Sequence, residues 1–188
     1  MPPLFKVTNP IRLKRLTNVM HIHGVDTYVH CSVFVVSAFI LAGVARHPGL
    51  SLPGLMGYLA VLLLHEAGHM IAAQRKGCRG LSIELYPVFG VTGFETPRSR
   101  VDHCVIAWGG VIAQAVVFIP LIAWIATHGY TSVEGINMIL AILGFFSLGV
   151  AVFNLLPVAP LDGAMAWRIF PELLAERRTR IPRKPRYG

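Results

Sequence analysis

Leu62-Leu63-Leu64-His65-Glu66-Ala67-Gly68-His69-Met70-Ile71 sets two imidazoles and a carboxylate inside an apolar run that extends from Pro53 to Ala73. A run of that size matches the roughly 20 residues a helix needs to cross a bilayer. On a helix, a spacing of four puts His65 and His69 on one face, a turn apart, where both can bind one metal ion. Glu66, next to the first imidazole, then stands beside the metal and can take a proton from an attacking water. Imidazoles and carboxylates are costly at hydrocarbon depth and persist there when they face protein or water and have a partner. A polar seam between helices would meet that cost as well, but the H-E-x-x-H order favours metal.

The rest of the chain supports a membrane setting. Of its 188 residues, 54% are hydrophobic and 14% charged, roughly half the charge share of an average soluble domain. Four candidate spans follow: about Tyr28 to Ala45, Pro53 to Ala73, Cys104 to Thr127, and Ile136 to about Val158. Between the second and third, Leu81 to Phe94 alternates partly at period two and carries Gly90 and Gly93, the pattern of a short strand pair. Beyond the fourth, Pro157 and Pro160 break helical hydrogen bonding, an amphipathic stretch runs from Asp162-Gly163 to about Glu176, and residues 177–188 form a basic tail. The expected fold is an all-α polytopic membrane protein with about four transmembrane helices and a small membrane-associated β-like insertion. It forms a single membrane-embedded domain over residues 1–188, with its core at about 28–163.

Seventeen Lys and Arg against nine Asp and Glu give a formal charge of +8. Four of the basic residues precede the first span, Arg46 follows it, five lie between spans two and three, none between three and four, and seven come after. That alternation is what the positive-inside rule requires of four spans with both termini in the cytoplasm, and it accounts for the charge without nucleic acid. Cys31, Cys78 and Cys104 cannot all pair and lack C-x-x-C spacing, so they are expected to be reduced and structural. The first apolar run lacks a clear small-residue cleavage site and is not expected to be a cleaved signal peptide.

A catalytic zinc takes three protein ligands and keeps a position for water, so a third donor must come from elsewhere. Asp26, Glu84, Glu95, Asp102, Asp162, His30 and His103 are candidates. Asp162 stands apart because two prolines break the helix before it and Gly163 allows close backbone approach, although Asp at that place also suits a helix N-cap. Trp108, Trp124 and Phe145 are expected to be lipid-facing or packing groups.

His65-Glu66-x-x-His69 followed by Asn154-x-x-Pro157-x-x-x-Leu161-Asp162-Gly163 resembles the site-2 protease family of intramembrane zinc metalloproteases, and the likeness covers roughly His30 to Gly163. The resemblance implies one Zn2+ per chain on His65, His69 and Asp162, general-base catalysis by Glu66, and a transmembrane protein as substrate within the lipid bilayer. It places Asn154 near the metal as support for substrate or ligand geometry. Where the family often has G-P-x-x-N in the third span, this chain has Gly109-Gly110-Val111-Ile112-Ala113-Gln114, and Gln114 keeps an amide on a longer arm that can hold a substrate backbone. The expected activity is zinc endopeptidase action on transmembrane segments, regulated intramembrane proteolysis, in a multi-pass protein of a prokaryotic cell membrane. The alternatives are a non-proteolytic zinc-binding membrane module or a zinc transporter; a transporter would spread its ligands along a path, which these spans do not.

Overall fold

A computed structural model describes residues 16–22, 25–43, 48–86 and 90–180. The order of elements is β1 (Leu16–Ile22), β2 (Val25–His30), α1 (Cys31–Gly43), α2 (Pro48–Arg75), β3 (Ser82–Leu85), β4 (Gly90–Gly93) and α3 (Arg100–His128). There follow α4 (Glu134–Ala141), a π-helical turn (Ile142–Phe146), α5 (Ser147–Asn154), α6 (Gly163–Ala166) and α7 (Ile169–Arg180). The basic tail beyond residue 180 and the N-terminal lead before residue 16 lie outside the described residues.

Among the described residues, three helices are long and apolar enough to cross a membrane: Leu50–Arg75, Arg100–His128 and the continuous helix Glu134–Asn154. At about 1.5 Å per residue each reaches the roughly 30 Å of a hydrocarbon core. The first expected span is shorter than its apolar run suggests. Tyr28, Val29 and His30 belong to β2, so α1 has 13 residues and a length of about 20 Å. Phe34, Val35 and Phe39 of α1 and Val116 and Ile119 of α3 are exposed, as side chains facing lipid are.

The β region is larger than the strand pair read from residues 81–94. Its four strands run in the order β1-β2-β3-β4, with β2 parallel to β3 and the other pairs antiparallel. The added hairpin carries its own signal, since Leu16 to His30 is rich in Thr, Val and Ile, which suit a pleated surface. What sequence periodicity does not show is the long-range parallel pairing of Asp26–Val29 with Ser82–Leu85. Ile83 and Leu85 point inward onto Val33, with Leu59 and Met70 of α2 beside them, which fixes the sheet to the helices. β4 ends the sheet as an edge strand.

The fourth span departs from α-geometry at Ile142–Phe146, and its helix ends at Asn154, short of Val158. Such π turns widen a helix by one residue and are frequent near functional sites. α3 begins on a side-chain cap, the Asp102 amide donating to Ser99 Oγ at 3.0 Å, and Lys76 at the end of α2 pairs with Asp102 at 2.7 Å.

α2 and α3 cross at two glycines. A Cβ on Gly68 would lie 2.3 Å from the Gly109 carbonyl oxygen, and one on Gly109 would lie 2.5 Å from that of Gly68. Without such small residues the backbones could not approach this closely. Gly68→Val is therefore expected to push the helices apart and cost at least the roughly 1–3 kcal/mol of an overpacked core. Thermal unfolding of the purified chain in detergent measures this, and an unchanged midpoint would contradict the close crossing.

Candidate metal centre

The α2 helix carries His65, Glu66 and His69, all buried. His65 lies ten positions and His69 six positions before Arg75, so the two rings sit about 15 Å and about 9 Å from the basic end of the span, within a hydrocarbon core of roughly 30 Å. The rings meet edge to face with centroids 4.7 Å apart, and their Nε2 atoms are separated by 3.1 Å. α3 makes the room: a Cβ on Gly110 would lie 2.6 Å from His69 Nε2 and 2.7 Å from His65 Cε1.

The third member arrives from the turns after α5. Asp162 Oδ2 lies 2.9 Å from His65 Nε2 and 3.2 Å from His69 Nε2. Asp162 occupies the N-cap position of α6, but its side chain makes no capping hydrogen bond there and turns to the histidines instead. Two tryptophans fasten this segment. Trp167 Nε1 donates to the Leu155 carbonyl at 2.6 Å, Trp108 Nε1 donates to that of Ala166 at 3.0 Å, and the two rings meet edge to face. Gly163 brings the segment against the end of the fourth span, where a Cβ would lie 2.3 Å from the Leu155 carbonyl. Trp108 is thus a packing and anchoring group, whereas Trp124 and Phe145 are exposed.

The donor set fits a metal ion. His65, His69 and Asp162 are the one group of three such side chains found among the described residues, with ligand atoms within 4.8 Å of one another. A tetrahedral zinc about 2.0–2.1 Å from each donor would separate its donors by roughly 3.3 Å. The observed triangle, with edges of 2.9, 3.1 and 3.2 Å, lies a few tenths of an ångström inside that spacing. On the far side of the rings, His65 Nδ1 lies 3.0 Å from Gln114 Oε1 and His69 Nδ1 lies 2.8 Å from the Ile106 carbonyl oxygen. Acceptors at both Nδ1 atoms leave both Nε2 lone pairs for a cation, the usual arrangement around zinc-binding histidines.

Glu66 points to the sheet. Thr92 Oγ1 of β4 donates to Glu66 Oε2 at 2.7 Å, and Gly90 lies so close that a Cβ there would be 2.3 Å from Glu66 Oε1. β4 thus returns from the polar end of α2 to the depth of the histidines, and irregular backbone at such depth is tolerated where protein covers it. Asn154 ends α5 half-buried, and no hydrogen bond joins its side chain to His65, His69 or Asp162. The remaining third-ligand candidates whose side chains are described lie elsewhere: Glu84 accepts from Tyr86, Asp102 pairs with Lys76, His30 stacks on Tyr86, His103 meets Phe94, and Glu95 is exposed outside the cluster. Burial, with Asp102 and Glu95 nearby, pushes the Cys78 thiol above its ordinary value, which suits a reduced, unreactive cysteine.

Thr92, Gly110 and the two tryptophans were not legible as site residues. Each acts on a partner at least 12 positions away, and neither periodicity nor motif spacing encodes such a pair.

The model of peptidase family M50 matches residues 121–186, which hold the fourth span and the Asp162 segment. The "Putative zinc metalloprotease sll0528" of Synechocystis sp. is 30% identical over 164 residues, covering 78% of this chain and 43% of that protein. Protein MJ0971 of Methanocaldococcus jannaschii is 54% identical over 37 residues, 20% of this chain and 10% of that protein. The chain therefore spans less than half the length of these curated relatives. Among solved structures, the site-2 protease from Methanocaldococcus jannaschii matches with a TM-score of 0.65 at 20% identity, over 86% of this chain and 73% of that one, a likeness of fold.

Proposed function

Because the chain belongs to peptidase family M50, the site-2 proteases, we propose that it is an intramembrane zinc endopeptidase that cleaves transmembrane segments of membrane proteins. The observation that carries this reading is the convergence of His65 Nε2, His69 Nε2 and Asp162 Oδ2 beside Glu66 in apolar helices. In it, His65, His69 and Asp162 hold one zinc ion per chain. When bound, zinc supplies Lewis acidity, which polarises the scissile carbonyl and makes water easier to deprotonate.

The protein's own groups do the rest. Glu66 takes the proton of the attacking water and returns it to the leaving nitrogen. The Thr92 hydroxyl holds Glu66 Oε2, which leaves Oε1 to carry the proton. Burial beneath β4 keeps bulk water away from that carboxylate. A helical substrate hides its amides in its own hydrogen bonds, so it must unwind before attack. The free edge of β4, against Glu66, supplies backbone partners for the extended form. Asn154, on the last turn of α5, supports the substrate or the ligand geometry, as the resemblance implies.

With α1 counted as a short first span, both termini and the 74–102 segment lie in the cytoplasm of a prokaryotic cell in this reading, motivated by the distribution of Lys and Arg. Reporter fusions after Gly188 and near Glu134 should report opposite compartments, and an extracytoplasmic C-terminus would reverse the assignment. The activity itself is tested with purified chain in proteoliposomes and a panel of single-span helices. Cleavage inside the span, lost on chelation and restored by zinc, is expected. A zinc-loaded chain that cuts no member of a broad panel would favour a non-proteolytic zinc module.

A further inference from the structure

We infer that Gln114 is a positioning residue for His65: its side-chain carbonyl fixes the imidazole tautomer that turns Nε2 toward the metal. The inference rests on the zinc reading above and goes beyond the substrate-holding role that the sequence suggests for this amide.

Ile106, Gly110 and Gln114 follow one another at intervals of four along α3, on a single face. That face lies against the two histidines of α2: the Ile106 carbonyl oxygen meets His69 Nδ1, Gly110 leaves room for both rings, and Gln114 Oε1 meets His65 Nδ1 at 3.0 Å. A neutral imidazole carries one ring proton, so Nε2 can ligate only if that proton sits on Nδ1. Its Nε2 faces His69 and Asp162, so the proton belongs on Nδ1 and needs an acceptor. That requirement also fixes the orientation of the Gln114 amide, with its oxygen toward the ring. His69 receives the same service from a backbone carbonyl, which substitution of a side chain does not remove.

The burial of Gln114 argues against a packing role. It is fully buried, and its Nε2 has no hydrogen-bond partner. An apolar residue of similar volume would fill the place without that desolvation cost. What an apolar residue lacks is the acceptor.

The two roles predict opposite orders of variants. If Gln114 fixes the tautomer, Gln114→Leu should weaken zinc binding by about 10-fold to 100-fold, the usual effect of losing the hydrogen-bond partner of a ligand, whereas Gln114→Glu, which keeps the acceptor, should stay close to wild type. If it only packs, Leu should be tolerated and the buried carboxylate of Glu should be harmful. The measurement is zinc affinity of the purified full chain by chelator competition, together with nitrogen-15 histidine spectra of the zinc-loaded wild type, which report the proton of His65 without any variant. A wild type that binds zinc while Gln114→Leu binds equally well, or while His65 ligates through Nδ1, overturns the role of Gln114 and leaves the zinc reading standing. A wild type that holds no zinc overturns both.

Discussion

Glu66→Gln is expected to keep the metal and lose the reaction. The substitution preserves size and a hydrogen-bonding group, and Glu66 lies outside the triangle formed by His65, His69 and Asp162, so zinc content should equal that of wild type. What it removes is basicity. Positioned acid–base groups contribute on the order of 100-fold to 10,000-fold in rate, so cleavage of a membrane-embedded helix should fall at least 100-fold. The Thr92 hydroxyl can still donate to the remaining carbonyl oxygen of the amide, so the sheet should stay docked on α2. A structural zinc site or a zinc-conducting pathway predicts little change, because neither needs a base at that position. Metal content and uncut substrate are measured on the same preparation, and normal cleavage by the zinc-loaded variant would falsify the general-base role.

The parts of this architecture that could be read from sequence share one property: their signal is local. An apolar run interrupted by His65, Glu66 and His69 announces both a span and a site, because such groups are retained at hydrocarbon depth only for a reason. Asp162 is legible for a similar cause, since prolines on one side and glycine on the other mark a place where backbone is bent close to something. The pair Gly90 and Gly93 marks a strand region and proves to bound β4 itself, but it does not say that Gly90 lies against Glu66. That fact depends on how far β4 returns along α2, which is set by Ile83 and Leu85 packing on Val33, Leu59 and Met70. The N-terminal strands are hidden for the same reason. Val25 to His30 runs directly into the apolar α1, so its Thr and Val content is masked by the apolar run, and pairing with β1 and β3 is what separates strand from helix. Gln114 is visible as an amide in a span, while its task depends on which ring it faces.

Asp162→Ala is expected to empty the site, and this prediction separates the ligand set from the other acidic residues. Loss of a hydrogen-bond partner of a zinc ligand usually costs 10-fold to 100-fold in affinity, so loss of one of three ligands should cost at least that much. Glu95→Ala and Asp102→Ala should retain zinc, because neither belongs to the cluster; Asp102 instead pairs with Lys76 at 2.7 Å. A second consequence concerns structure. The Asp162 segment is also held by Trp167 on the Leu155 carbonyl and by Trp108 on that of Ala166, and neither bond involves the carboxylate. The alanine variant should therefore keep its thermal midpoint in the presence of chelator, while the stabilisation that zinc gives the wild type disappears, as linkage requires of a ligand that binds only the folded state. Zinc content, chelator competition and thermal unfolding with and without zinc measure all three. If Asp162→Ala kept full zinc while Glu95→Ala or Asp102→Ala lost it, the third ligand would have to be reassigned, and the convergence of Asp162 on the two imidazoles would then be a polar contact between the fourth span and α2.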